Sequence, residues 1–224
     1  MVWLIDFIYP KKCFGCGAKG SYFCKSCQLK SPKPKMVCPS CDRLSIGGWR
    51  HGCCGGDLER LIVGMKYRGI VSLGLRRVKF GSNWAILDDL FEWWWKEIGE
   101  KLRKLQAEEW VISWIPMYEV KKKKRGFDQA EILAKKLGER LGFEVIGLLK
   151  RSRLTQPQFG LGIKERQKNL KGAFKIESEA KEVVLKKKVL LVDDIWTTGS
   201  TMREGGKVLR ENGFEKIWGV VVAG

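Results

Sequence analysis

The chain has 224 residues, 44% of them hydrophobic, and 43 Lys and Arg against 25 Asp and Glu give a formal net charge of +18. That length and apolar content suffice for one sizeable domain with a small appendage and exclude a disordered chain. The charge favours polyanionic partners such as nucleic acid, anionic lipid or phosphorylated small molecules, with a solvated basic surface as the competing reading.

In chain order, MVWLIDFIY (1–9) is apolar but too short for a bilayer, carries Asp6, and lacks a basic start and a small-residue cleavage site. No later run reaches the roughly 20 uninterrupted apolar residues of a membrane helix. The expectation is a cytoplasmic protein, with peripheral contact to a membrane surface left open.

All eight cysteines lie between Cys13 and Cys54. Disulfides need an oxidising compartment, and no export signal points to one. Cys13-x2-Cys16 followed by Cys24-x2-Cys27 brings two thiolates into each of two turns, so that four can close a tetrahedron around zinc. The second half is less regular: Cys38-x2-Cys41 is followed by His51, Cys53 and Cys54. Because His51-x2-Cys54 repeats the knuckle spacing, the preferred second set is Cys38, Cys41, His51 and Cys54, with Cys53 spare. Cys53 as the ligand, with His51 an ordinary loop residue, is the alternative, and knuckles interleaved around one or two ions also remain open. Residues 11–56 are too poor in apolar periodicity to fold on burial alone, so metal binding is expected to supply most of their folding free energy. The pattern places a zinc ribbon module, with the short apolar segment, at 1–56 and an α/β domain at 57–224.

FEWWWKEI (91–98) sets three tryptophans in a row. On a helix they cannot share one face, so at least one of Trp93, Trp94 and Trp95 should be exposed or cover a neighbouring element. Core packing is one reading, and a stacking platform for single-stranded nucleic acid the other. VISWIP (111–116) reads as a buried strand, Met117–Arg125 as a basic loop, and the following stretch as a helix with Phe127, Ala130, Leu133, Ala134, Leu137 and Leu141 at helical spacing before Gly142. KKVLLVDD (187–194) is a second buried strand, Ser200–Glu211 a helix, and EKIWGVVVA (215–223) a terminal strand. Strands alternating with helices imply a largely parallel sheet covered on both faces, with ligands bound beyond the strand carboxyl ends. Met117–Arg125 and Asp193–Thr201 lie at such ends.

LLVDDIWTTGST (190–201) joins two acids to an anion cradle. Backbone N–H groups at a helix start, with the hydroxyls of Thr197, Thr198, Ser200 and Thr201 and the close approach allowed by Gly199, suit a phosphate dianion. Asp193 and Asp194 cannot face that phosphate. A ribose diol, donating two hydroxyls to two carboxylates, fits a ligand that carries a 5′-phosphate.

This stretch resembles the phosphoribosyl pyrophosphate (PRPP) motif of type I phosphoribosyltransferases. The resemblance implies Asp193 and Asp194 on the ribose hydroxyls, Thr197 to Thr201 on the 5′-phosphate, and magnesium bridging pyrophosphate and ribose oxygens. Taken with the knuckles, LIVGMKYRG (61–69), WIPM (114–117), RGFDQAEILA (125–134) and RLTQPQFGLGIKERQKNLKGAF (153–174), the chain resembles the ComF family, implicated in DNA uptake during natural competence. The family resemblance implies a type I phosphoribosyltransferase-like domain behind a zinc ribbon and a place beside the competence or DNA-import machinery. His51 stands where the family has cysteine, and Asp128 where it more often has asparagine, which puts that position's hydrogen bonding in question. By analogy, Ile115-Pro116-Met117 is the pyrophosphate loop. Of the basic run Lys121–Arg125, which as a whole could be mere solvated charge, Arg125 is the best candidate for the pyrophosphate. Residues 153–174, with Arg153, Gln158, Arg166 and Asn169, read as a mobile lid or as a disordered insertion. Two functions share this one site: a PRPP-binding protein that handles single-stranded DNA during uptake, and an active phosphoribosyltransferase with an unidentified base or amine acceptor. No base-binding motif is recognisable.

Overall fold

The computed structural model describes residues 10–80, 84–105, 109–153, 165, 170–178 and 188–224. Five strands, Arg60–Met65 (β1), Trp110–Trp114 (β2), Glu144–Val145 (β3), Lys188–Ile195 (β6) and Ile217–Ala223 (β7), form a parallel sheet in the order β1-β7-β6-β2-β3. β7, IWGVVVA, is buried at every position, as a strand covered on both faces must be.

Alternate side chains enter two apolar layers. Ile62, Ile112, Leu190, Val192, Val220 and Val222 face one, which also takes in helices Gly69–Phe80 (α2), Trp84–Arg103 (α3) and Gln129–Leu141 (α5). Leu61, Val63, Val111, Val189, Leu191 and Val221 face the other, covered by helix Ser200–Glu211 (α6) and by the antiparallel hairpin of Leu149–Arg151 (β4) and Phe174–Ile176 (β5). The chain runs outward from β2 through α5 to β3, and the opposite way from β6 through α6 to β7. β2 and β6 are therefore neighbours at the reversal of strand order, where the carboxyl ends open a crevice.

Trp93, Trp94 and Trp95 are 3%, 0% and 7% exposed, so the stacking-platform reading fails at these positions. They point different ways and each is covered. Trp93 meets Phe23 of the cysteine-rich segment at 5.7 Å, Trp94 donates its Nε1–H to Val221 O at 3.0 Å, and Arg103 lies over Trp95. Gly64 makes room for Trp94, because a Cβ there would fall 2.3 Å from the indole.

The first half of the cysteine-rich module, with one short helix Lys25–Lys30 (α1), packs on this face, whereas its second half, with a tight turn at Ile46–Gly48, reaches Arg203 of α6 on the other through Pro39 and Asp42. Asp89 of α3 accepts from Ser21 Oγ at 3.0 Å, the Tyr22 N–H at 2.9 Å and Lys11 Nζ at 3.1 Å.

Met117–Arg125, expected as a loop, is partly helical: Glu119–Arg125 forms α4. Lys, Arg and Glu are good helix formers, Glu119 lies in the first turn and four cations in the last, and Gly126 in the left-handed region stops it. With Val120 its one apolar residue, and that exposed, the helix leaves no apolar period to read. The proposed lid at 153–174 lies mostly outside the described residues. No helix among the described residues is long and apolar enough to cross a membrane.

Candidate functional site at the strand reversal and its metal-ligand groups

The ligand atoms of Cys13, Cys16, Cys24 and Cys27 converge within 4.8 Å of one another, and so do those of Cys38, Cys41, His51 and Cys54. The groups are consecutive in sequence, without interleaving. Cys53 is exposed and stands outside both.

A tetrahedral zinc with ordinary bond lengths needs ligand edges of about 3.8 Å between sulfurs and about 3.6 Å from sulfur to nitrogen. Cys16 Sγ and Cys24 Sγ are 3.6 Å apart, and Cys41 Sγ and His51 Nδ1 3.5 Å, so the donor sets fit that ion. His51 Nε2 lies 3.1 Å from Leu44 O. A carbonyl only accepts, so Nε2 carries the proton and Nδ1 presents its lone pair.

The thiols are graded for metal. Burial pushes Cys13 up, but the N–H groups of Cys24, Gly15 and Cys16 outweigh it and bring the thiol down to about 6. Arg43 brings Cys41 down to about 6. Hydrogen bonds from Cys16, Cys13 and Cys24 push Cys27 up to about 12, and Cys41 pushes Cys54 up to about 11. Each group thus shares protons among thiols, and a cation would displace them.

At the strand reversal, β6 ends in Asp193, Asp194 and Ile195 and turns through Trp196–Gly199 into α6. The Ile115 N–H donates to Val192 O at 2.9 Å, setting Pro116 and Met117 beside the two acids. Asp193 Oδ1 accepts the Asp194 N–H at 2.8 Å. Burial holds the Asp193 carboxyl well above the usual range, helped by the charges of Asp194 and Asp128. Two acids side by side, one of them desolvated, suit hydroxyl donors or a cation, not an anion. Thr198 Oγ1 and Ser200 Oγ are 2.9 Å apart, and Gly199 holds φ +67° at the helix entrance.

Cations gather nearby. Burial lowers Lys121, and the neighbouring charges of Arg151, Lys79 and Arg125 lower it further. Arg151, lowered chiefly by burial, feels Asp193 and Asp128. Arg125 reaches Gln129 Oε1 at 3.4 Å, whereas Lys122 is tied to Glu131 at 2.6 Å. The basic run therefore divides: Lys121 and Arg125 belong to the cation cluster, and Lys122 braces α4 against α5.

Asp128 caps α5, accepting the Ala130 N–H at 3.0 Å and the Glu131 N–H at 3.4 Å on Oδ1, while Oδ2 takes the Met117 N–H at 2.6 Å. Both oxygens accept, a task for which a carboxylate is complete and an amide would be half suited. The positions that sequence reasoning passed over are Arg151, Gln129, whose buried Nε2 has no partner among the described residues, and the set Asp42, Trp196 and Arg203. Gln129 lay within a quoted motif. Arg151 had no local signal.

Residues 123–224 match the phosphoribosyl transferase domain family. Competence protein F of Haemophilus influenzae is 31% identical over 211 residues, covering 89% of this chain and 90% of that protein. The DNA utilization protein YhgH of Escherichia coli is 29% identical over 203 residues, covering 87% of this chain and 86% of its own length. Competence protein ComFC of Streptococcus pneumoniae is 29% identical over 184 residues, with 80% and 77% covered. These matches extend beyond the transferase-like domain. A parallel sheet opening at the β2–β6 reversal, joined to two four-ligand groups and matched by competence proteins over most of their length, makes this chain a member of the ComF family.

Proposed function

We propose that the protein binds PRPP at the β2–β6 reversal, carries zinc in both four-ligand groups, and handles single-stranded DNA during uptake. In this reading Asp193 and Asp194 take the ribose 2′- and 3′-hydroxyls and Thr197, Thr198, Gly199, Ser200 and Thr201 hold the 5′-phosphate. Pro116, Met117 and Arg125 meet the pyrophosphate. Magnesium accompanying the ligand would supply positive charge to offset its phosphate oxygens. The zinc ribbon module occupies 1–56 and the phosphoribosyltransferase-like domain 57–224, with a cytoplasmic site of action.

The observation that carries the reading is the joining of two adjacent carboxylates at the end of β6 to a hydroxyl-rich helix entrance, at the strand reversal where the Ile115 N–H bonds Val192 O, with Arg151 near enough for its charge to act on Asp193. Support for the DNA role comes from relatives called competence and DNA utilization proteins and from the net charge of +18. A turnover role, transfer of ribose 5-phosphate to a base or amine, is the second reading, favoured by the match to the phosphoribosyl transferase domain family.

Calorimetry with magnesium and PRPP tests the site. Replacing both acids, Asp193→Ala with Asp194→Ala, should abolish the binding heat while the circular dichroism spectrum stays native. Unchanged affinity in that double variant rules the site out. Release of pyrophosphate with candidate acceptors separates turnover from binding alone.

A further inference from the structure

Two knuckles with the same spacing are closed by different residues. In the first, Cys13-x2-Cys16 is closed by Gly17 at φ +74°, whose N–H donates to Cys13 O at 2.9 Å. In the second, Cys38-x2-Cys41 is closed by Asp42 at φ +59°, whose N–H donates to Cys38 O at 3.0 Å. Asp42 is the one non-glycine residue with positive φ among the described residues. Such a backbone costs a side chain about 1 kcal/mol, less for Asp and Asn than for most residues. Closing the turn requires no carboxylate, since glycine closes its twin.

The carboxylate is engaged elsewhere. Oδ1 accepts the Trp196 Nε1–H at 3.2 Å and Oδ2 the Arg203 Nη2–H at 2.7 Å. Arg203 also donates from Nε to Pro39 O at 2.5 Å, inside the knuckle, and from Nη1 to Thr198 O at 2.8 Å, inside the hydroxyl-rich turn. Its guanidinium lies 5.1 Å from the Trp196 ring centre, and that ring presses on Gly199, where a Cβ would fall 2.3 Å away. The second ligand group is thereby joined to the backbone of the turn.

We propose that the second metal group positions the phosphate turn, with Asp42, Arg203 and Trp196 as positioning residues. An ion held by Cys38, Cys41, His51 and Cys54 sets the knuckle, the knuckle sets Asp42 and Pro39, and these set Arg203 and Trp196 against Thr198 and Gly199. Loss of that ion loosens the turn and weakens its grip on a phosphate without touching the pyrophosphate side, where the Met117 N–H is held by Asp128 at the start of α5. The consequence for ligand binding rests on the phosphoribosyl reading of the turn; the mechanical coupling does not.

The test uses the full zinc-loaded chain, with Asp42→Gly, Asp42→Asn and Cys54→Ser. Glycine accepts the left-handed backbone without strain and removes both acceptor oxygens, while asparagine tolerates it and keeps one oxygen for Trp196. Calorimetry is run with ribose 5-phosphate and, separately, with magnesium pyrophosphate. Hydrogen exchange of the 196–203 peptide is followed without ligand, and zinc content is measured on every variant. Asp42→Gly should keep its zinc, bind ribose 5-phosphate about tenfold more weakly, bind pyrophosphate as before, and exchange faster across the turn. Asp42→Asn should recover part of each loss, and Cys54→Ser, losing the second ion, should show the same faster exchange. Unchanged exchange in both Asp42→Gly and Cys54→Ser overturns the coupling. Equal loss of both ligands in Asp42→Gly overturns it too, because it signals general loosening. Failure of the wild type to bind either ligand defeats the phosphoribosyl reading, and the exchange data still decide the coupling.

Discussion

At Asp193, burial sets one residue against the fold. Burial, then the charge of Asp194, hold its carboxyl well above the usual range. An acid whose folded value is raised binds its proton more tightly in the folded state. Its effect on stability is thus most favourable at low pH and is lost as pH rises from the ordinary carboxylate range through the raised folded value. Asp193→Asn keeps an oxygen for the Asp194 N–H and removes the desolvated charge. The unliganded variant should melt higher than wild type at neutral pH, by about 2–4 °C for each kcal/mol recovered, and its profile of melting temperature against pH should be flatter. Differential scanning calorimetry across acid to neutral pH checks this, and a lower midpoint for Asp193→Asn would show that the carboxylate supports the fold. The pair of acids was legible in the sequence because they are adjacent. Their electrostatic debt was not, since it depends on what covers them.

At the scale of elements, α5 shows a side chain joining a helix to a distant loop. Its apolar face, with Leu133, Ala134 and Leu137 buried, was readable from spacing alone. Its capping residue does more than cap, because Asp128 also holds the Met117 N–H at 2.6 Å. Asp128→Ala removes the cap and strands that N–H, so it should cost about 2–3 kcal/mol in urea unfolding and weaken pyrophosphate binding. Asp128→Asn, which can serve only one of the two sides with its oxygen, should fall between. An effect of Asp128→Ala below about 0.5 kcal/mol would mean that water replaces both contacts. α4 escaped sequence reading for a related reason: it has no buried residue, so the apolar period that reveals α5 is missing.

For the whole molecule, a net charge of +18 is the property most directly tied to a polyanion. Fluorescence anisotropy with labelled single-stranded DNA should show affinity falling steeply with salt, with a log–log slope of about −3 or steeper for five or so neutralised phosphates. A flat response would leave the charge as a solubility feature. The three consecutive tryptophans take no part in stacking in this fold, being buried between α3 and its neighbours. Exposed rings among the described residues include Trp49 at 43% and Trp84 at 47%. Trp49 stacks against Arg60, at 4.7 Å from the ring centre, which puts an aromatic face and a cation side by side.

By itself the sequence determined the features whose geometry is local. Knuckle spacing delivers thiolates in pairs, and an apolar strand followed by two acids and a hydroxyl-rich turn delivers a crevice wall, because neighbouring residues are placed by covalent structure and hydrogen bonding over a few positions. Spacing preferred His51 over Cys53 for the second group but left both open, and the tertiary structure settled it for His51 as it settled that all three tryptophans are covered. It alone set Asp42 against Trp196 and Arg203, partners 154 and 161 residues away. Contacts at such separation follow from how finished layers pack, and packing leaves no period or spacing in the chain to be read.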